Sequence, residues 1–370
     1  MPTKPESKSS AGTTPTMVID LRSDTVTKPS PAMLAAMSGA SLGDNGYLED
    51  ASTNELEQYC ATLFGKEAAI FLPSGTMANQ LALRCFTAPG DEIIVDRSYH
   101  IIFFEAGPTA DLAKVYPNVI VTPDGILTAE RVDEALHNKA RTRYGTHAKL
   151  LCLENPINGC GGRITPLATM SQVFEFAKRN GLAVHLDGAR LLNACAATGI
   201  GPATYGQYTD SLMVCLSKGL GAPFGSMLMS SADVIDRARR YCKWYGGGMH
   251  QSGPMAAAAL HALRFNREQL AIDNENARYL AGLLQGIELL SIDAATVDTN
   301  IVLMDISSLA HSAAELVEHA RTHGLLLYPW SRKSVRAVTH RDVSRVDLEE
   351  AARRLRRVIG ELRERAKSVA

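Results

Sequence analysis

The sequence predicts an α/β protein, a mostly parallel sheet with helices on both faces, followed by a smaller C-terminal α+β domain. Three observations carry that expectation. From about residue 67, short apolar runs alternate with longer segments whose apolar residues recur at helical spacing. Six such runs occur before residue 231, enough for a substantial sheet. Beyond about residue 275 the alternation gives way to shorter, mixed elements.

Taken in order, the strand candidates are AAIFL (68–72), DEIIVD (91–96), KLLCLEN (149–155), LAVHLD (182–187), SLMVCL (211–216) and GSMLMS (225–230). Their unbroken apolar character suits strands buried on both faces. Between them GTMANQLALRCF, PLATMSQVFEFAKRNG and ADVIDRARRYCKW read as helices, the second ending in a glycine suited to a C-cap. A long helical stretch from PMAAAALHAL to ARYLAGLL leads to NIVLMDI, AAELVEHARTHG, LLLYP, SVRAVTH and the amphipathic DLEEAARRLRRVIGELRERA. The division expected is a polar, disordered arm over 1–17, a large domain over 18–275 and a small domain over 276–370.

Composition narrows the function classes. With 38 basic and 39 acidic residues the net charge is -1, so bulk charge favours neither nucleic acid nor an anionic membrane as partner. No apolar stretch reaches the roughly 18 residues of a membrane span, and no N-terminal apolar region suggests a signal peptide. A cytoplasmic protein is expected. The seven cysteines are scattered without CxxC spacing and read as reduced thiols, so no metal site is predicted.

Three strand ends carry chemistry. In FLPSGTMANQ a strand is followed by Ser74, Gly75 and Thr76 and then a helix, whose free first-turn amides form a cradle for phosphate. Alone this is weak, because serine before a helix is usually an N-cap. Neither a Walker motif nor the dinucleotide fingerprint is present. In AVHLDGAR, alternation leaves Asp187 at the carboxyl end of its strand, with Arg190 within reach. In CLSKGLGAPFGS, Lys218 follows a buried strand among Gly219, Gly221 and Gly225, which suggests that a cofactor lies against it. A phosphate anchor, a carboxylate for a ring nitrogen and a lysine for a Schiff base are the parts that pyridoxal 5'-phosphate requires.

At these motifs, and at IDLRSDTVTKPSPAMLAAM, GGGMHQSG and VRAVTHRDVS, the chain resembles the low-specificity L-threonine aldolases, within the aspartate-aminotransferase-like (fold type I) pyridoxal phosphate enzymes. The resemblance runs from about residue 18 to the C-terminal helix. It implies that Lys218 forms the Schiff base, Asp187 pairs with the pyridine nitrogen, and Arg190 contacts the ring hydroxyl side. Gly75, Thr76 and Ser217 would hold the phosphate. His100 in RSYHIIFFEAG would stack on the ring and face the substrate, a small amino acid. Ser23, Arg190 and Arg336 would bind that substrate, Ser23 and Arg336 holding its carboxylate. A homodimer or homotetramer is implied, with His250 near the phosphate in a neighbouring subunit's site.

Three positions depart from the family pattern. ENPIN puts Ile157 where the family has a histidine directed at the substrate's β-hydroxyl, GGGMHQ puts His250 in place of arginine, and GYLED puts Leu48 in place of glycine. Retro-aldol cleavage needs a base at that hydroxyl, which isoleucine cannot be. The expectation is a lyase cleaving threonine-type β-hydroxy amino acids to glycine and an aldehyde. An alanine racemase, a β-eliminating enzyme and a non-catalytic pyridoxal phosphate-binding protein stand as alternatives.

Overall fold

The computed structural model describes residues 18–138 and 143–369, so the arm over 1–17 lies outside the described residues. Seven strands build the main sheet: β2 (Ala68–Leu72), β3 (Glu92–Asp96), β4 (Tyr116–Ile120), β5 (Ala148–Glu154), β6 (Ala183–Asp187), β7 (Ser211–Cys215) and β8 (Ser226–Ser230), in the order β2-β8-β7-β6-β5-β3-β4. β8 runs antiparallel to both of its neighbours, and the other six share one direction. All six strands expected from the sequence form, within a residue or so of their predicted ends. β4 was not expected. Its sequence, YPNVI, is short of apolar residues and contains Pro117, which an edge strand beside β3 tolerates because one side of its backbone needs no ladder partner.

The shared direction of β6 and β7 positions the site. Asp187 is paired in register with Met213, so the chain emerges from both strands at the same carboxyl edge of the sheet. Asp187 ends β6 there, and Lys218 follows three residues after β7 ends.

A second core forms from β1 (Ile19–Asp20), β9 (Ile301–Asp305), β10 (Leu325–Leu326), β11 (Tyr328–Pro329) and β12 (Ser334–Val338), with the helices Ala313–Thr322 and Arg345–Val369 packed on them. β9, β11 and β12 make an antiparallel sheet, while β1 pairs in parallel with β10. The helix Gln269–Leu284 enters both cores: Leu270 packs with the main sheet, and Ala277, Leu280, Ala281 and Leu284 pack with the second core. Anchoring β1 in the second core carries the segment after it, Ser23 and Asp24, across to the carboxyl edge of the main sheet. All seven cysteines are free thiols, and no helix among the described residues is long and apolar enough to cross a membrane.

Leu48 closes a short turn in the left-handed region, at φ 60°. A side chain there costs on the order of 1 kcal/mol that glycine does not.

Candidate active site

Lys218 sits in a tight loop closed by hydrogen bonds from Gly221 N to Lys218 O (2.8 Å), from Leu216 N to Gly225 O (3.0 Å), and from Thr27 Oγ1 to Lys218 O (2.8 Å). Its ammonium is half-buried and has no hydrogen-bond or ion-pair partner among the described residues. The glycines around it have a different cause from the one expected. Gly221 and Gly225 adopt φ of 77° and 96°, and a Cβ on Gly225 would lie 2.4 Å from Phe71 Cε2. On Gly219 it would lie 2.7 Å from Leu270 Cδ2. These residues are glycine because the loop is folded against protein, and a cofactor is not needed to account for them.

Asp187 is buried and holds two donors, Ala189 N (3.0 Å) and Asn79 Nδ2 (2.8 Å). Asn79, one turn into the helix Gly75–Phe86, also donates to Glu105 Oε1 (2.9 Å), and the same oxygen accepts from His100 Nδ1 at 2.7 Å. Glu105 Oε2 accepts from Gln80 Nε2 (2.9 Å). The carbonyl of Asn79 faces His185 Nε2 (3.1 Å), whose Nδ1 meets Ser211 Oγ at 2.9 Å. A continuous buried chain of hydrogen bonds thus joins Asp187 to His100 through Asn79 and Glu105. Burial works against a charge on His100, but the hydrogen bond to Glu105 and the negative charges of Asp187 and Glu154 carry its pKa above the ordinary imidazole value.

A second group is built around Asp24, which is fully buried. Arg190 donates to both of its oxygens (Nε 2.7 Å, Nη2 2.6 Å) and Asn300 Nδ2 donates at 3.1 Å. Burial opposes ionisation of Asp24, yet the charge and hydrogen bonds of Arg190, with the charge of Lys218, hold it far below the usual carboxylate range. Arg336 donates to Asn158 Oδ1 (3.1 Å), lies over the rings of Tyr328 and Trp330, and has its pKa lowered to about 10 by burial and by Arg190. Glu154 accepts the backbone amides of His100 (2.5 Å) and Asn158 (2.7 Å), and burial and then Asp187 push its pKa up.

Lys218, Asp187, His100, Arg190, Arg336 and Ser23 line one cavity of about 130 Å³, together with Glu154, Asn158 and Phe104. Gly75, Thr76, Ser217 and His250 do not line it. Gly75 starts its helix beside β7 and β8, where a Cβ would lie 2.7 Å from Met213 Cε and 3.5 Å from Ser226 Oγ. His250 is exposed on a loop whose carbonyl accepts from Asn45 N (2.7 Å), next to the exposed apolar residues Leu42, Tyr47 and Leu48. Ile157 is also absent from the lining. Its side chain is fully buried in the main core, its Cγ2 2.7 Å from where a Cβ on Gly125 would lie. The expectation that this side chain faces the substrate is therefore corrected: here position 157 points into the core, and Pro156 and Asn158 face the cavity.

The family model for beta-eliminating lyases matches residues 20–307. The low-specificity L-threonine aldolase of Escherichia coli is 43% identical over 336 residues, covering 90% of this chain and 97% of its own. The chain belongs to the beta-eliminating lyase family. A probable low-specificity L-threonine aldolase 2 of Arabidopsis thaliana is 39% identical, covering 91% of this chain and 96% of its own. Among solved structures, a threonine aldolase of Leishmania major aligns with a TM-score of 0.78 at 20% identity, covering 91% of this chain and 98% of its own. A serine palmitoyltransferase of Sphingomonas wittichii aligns at 0.73 and 18%, over 93% and 88%. At such identities these two speak for the fold alone.

The resemblance read from the motifs is thereby borne out, with fold type I, the lyase class and pyridoxal 5'-phosphate as cofactor. The residues of the chain fit that group. An amine without a partner among the described residues lines the same cavity as a buried carboxylate. The first-turn amides of Gly75 and Thr76 have no acceptor in their helix, and the buried hydroxyl of Ser226 close by is also unpartnered.

Sequence reasoning missed Asp24, Asn79, Glu105, Glu154, Asn158 and Asn300. For two of them a signal existed. Glu105 follows His100 by only five residues in HIIFFE, just past the short helix that His100 begins, and Asn79 stands one turn past Gly75, on the face that meets β6. Asp24 and Arg190 are 166 residues apart, and nothing local announces their pairing.

Proposed function

We propose that this chain cleaves L-threonine and related β-hydroxy-α-amino acids to glycine and an aldehyde. The observation that carries the reading is the convergence of the unpartnered Lys218 amine, Asp187, His100 and Arg336 on one small cavity. Pyridoxal phosphate, when bound, supplies the electron sink that lets a bond at Cα break. Lys218 would hold the cofactor through its amine, Asp187 would pair with its ring nitrogen, and Gly75, Thr76 and Ser217 would hold its phosphate. Arg336 forks onto the substrate carboxylate beside Ser23 and Arg190, which fixes the orientation of the β-carbon. His100 would take the β-hydroxyl proton on Nε2 while Nδ1 stays bonded to Glu105; as the Cα–Cβ bond breaks the aldehyde leaves, and one proton returned to Cα completes glycine. With position 157 turned into the core, isoleucine there takes nothing from this step.

The same reading gives the chain two units meeting within the helix Gln269–Leu284, with β1 contributed to the second, which the two separate cores support. It gives a cytoplasmic homodimer or homotetramer. The exposed apolar residues beside His250 support a subunit contact there, through which His250 would reach a neighbouring site near the phosphate. The test incubates the holoenzyme separately with L-threonine and L-alanine in deuterated water and assays acetaldehyde, glycine and D-alanine. Acetaldehyde and glycine in equal amounts are expected; D-alanine without acetaldehyde would replace this reading with a racemase.

A further inference from the structure

On the outer face of the second core, far from any role in the chemistry above, two histidines and a glutamate converge. His319 lies in the last turn of the helix Ala313–Thr322, and His323 caps that helix four residues later. Glu361 projects from the facing helix Arg345–Val369. Both imidazoles approach the same carboxylate oxygen, with His319 Nε2 2.7 Å and His323 Nε2 3.0 Å from Glu361 Oε2. The three donor atoms all lie within 4.8 Å of one another, and the side chains are partly exposed.

We propose that His319, His323 and Glu361 form a binding site for a borderline divalent transition metal of the zinc type, stapling the helix Ala313–Thr322 to the C-terminal helix. Histidines four residues apart stand on one face of a helix, the spacing by which two imidazoles reach a single ion. Ligands 2.0–2.1 Å from a tetrahedral zinc stand about 3.4 Å from one another. The present nitrogen–oxygen separations of 2.7 and 3.0 Å need to open by about 0.7 and about 0.4 Å to reach that spacing, within the reach of side-chain rotation. Without metal each Nε2–H donates to Glu361 Oε2, so binding the ion requires each ring to move its Nε2 proton to Nδ1 or to release it, which frees the Nε2 lone pair for the metal. The second carboxylate oxygen, Oε1, accepts from Arg357 Nε at 2.8 Å, which orients the carboxylate as outer partners of metal ligands do. Three protein ligands leave a fourth position to water, and partial exposure gives the ion a path of entry.

The experiment titrates zinc ion into metal-stripped holoenzyme by calorimetry, comparing the natural sequence with His323→Gln, Glu361→Gln and the double variant His319→Ala/His323→Ala. The natural protein is expected to bind one more equivalent of zinc per chain than the double variant, and each single variant to bind that equivalent at least tenfold more weakly. X-ray absorption of the added equivalent should show nitrogen and oxygen neighbours at 2.0–2.1 Å. Zinc should also raise the melting temperature of the natural protein more than that of the double variant. His323→Gln leaves the backbone cap at the helix end in place and removes one partly exposed ring with its hydrogen bond to Glu361, so the comparison survives if the double variant folds poorly. Equal stoichiometry and affinity in the natural protein and His323→Gln would overturn the proposal, and so would sulfur neighbours near 2.3 Å, which would assign the metal to the thiols. Neither result bears on the proposed cleavage reaction, which uses none of these three residues.

Discussion

Replacing Asp24 by asparagine tests the arrangement that holds the arginines of the site. Asp24 is fully buried and accepts two hydrogen bonds from Arg190, whose side chain is 7% exposed, and one from Asn300. Asparagine keeps the shape but turns one acceptor into a donor. Whichever way the amide points, an N–H then faces a guanidinium N–H, and the positive charge of Arg190 stays buried without its counterion. Removing one partner of a buried pair costs about 3–5 kcal/mol. Against a total stability of roughly 5–15 kcal/mol, that is large enough to read in urea unfolding of the holoenzyme, as a lower midpoint with an unchanged slope. The pH dependence has a definite sign. The folded pKa of Asp24 lies below the unfolded value of about 3.9, so its contribution is present above that value and is lost as pH falls through the folded pKa. The gap between the natural protein and the variant should therefore hold from pH 8 to pH 5 and close only in strong acid. Asp24→Asn/Arg190→Gln, which restores neutrality, should lose less than the two single losses added together. A loss under about 1 kcal/mol for Asp24→Asn at pH 7 would refute the reasoning.

Three more outcomes are expected. Glu105→Gln removes the charge that raises the pKa of His100 while keeping its hydrogen bonds, since the unpartnered Gln80 Oε1 can accept the new amide after a flip; the acid limb of kcat/KM for threonine should move to lower pH, and a profile that stays in place would remove His100 as the base. Ile157→His puts a polar ring into a fully buried apolar position and should lower stability by about 2 kcal/mol or more without raising the rate of threonine cleavage, as thermal melting and an acetaldehyde assay will show; a faster variant would mean that this side chain reaches the substrate after all. Leu48→Gly relieves a left-handed φ worth about 1 kcal/mol but removes one side chain from the subunit contact proposed beside His250, so urea unfolding should show a gain of less than about 1 kcal/mol; a net loss would mean that the contact outweighs the backbone strain.

How far the sequence could be read depended on whether a residue's task is local. The six expected strands are buried on both faces, so each is a continuous apolar run that no neighbouring segment obscures. β4 sits at an edge with Pro117 as its second residue, and nothing in five residues distinguishes it from a loop. Asp187 and Lys218 were legible because parallel strands deliver their carboxyl ends to one edge, which makes a strand-end acid and a strand-end lysine neighbours by topology alone. The chain of hydrogen bonds from Asp187 through Asn79 and Glu105 to His100 depends instead on the angle at which two helices cross that edge, and the spacing of the residues hints at it without fixing it. Glycine misleads for the opposite reason. Room for a ligand and room for protein leave the same letter in the sequence, and only Phe71 and Leu270, distant in the chain, show that Gly225 and Gly219 answer to the second. Ile157 follows the same logic. A motif aligned letter by letter assigns it the place of a substrate-facing side chain, but the backbone decides which way that side chain points, and here it points toward Gly125 and away from the cavity. The departure that most weakened the aldolase reading in the sequence therefore loses its force once the direction of one Cα–Cβ bond is known, and the burden of accepting the hydroxyl proton passes to His100, the one imidazole that lines the cavity.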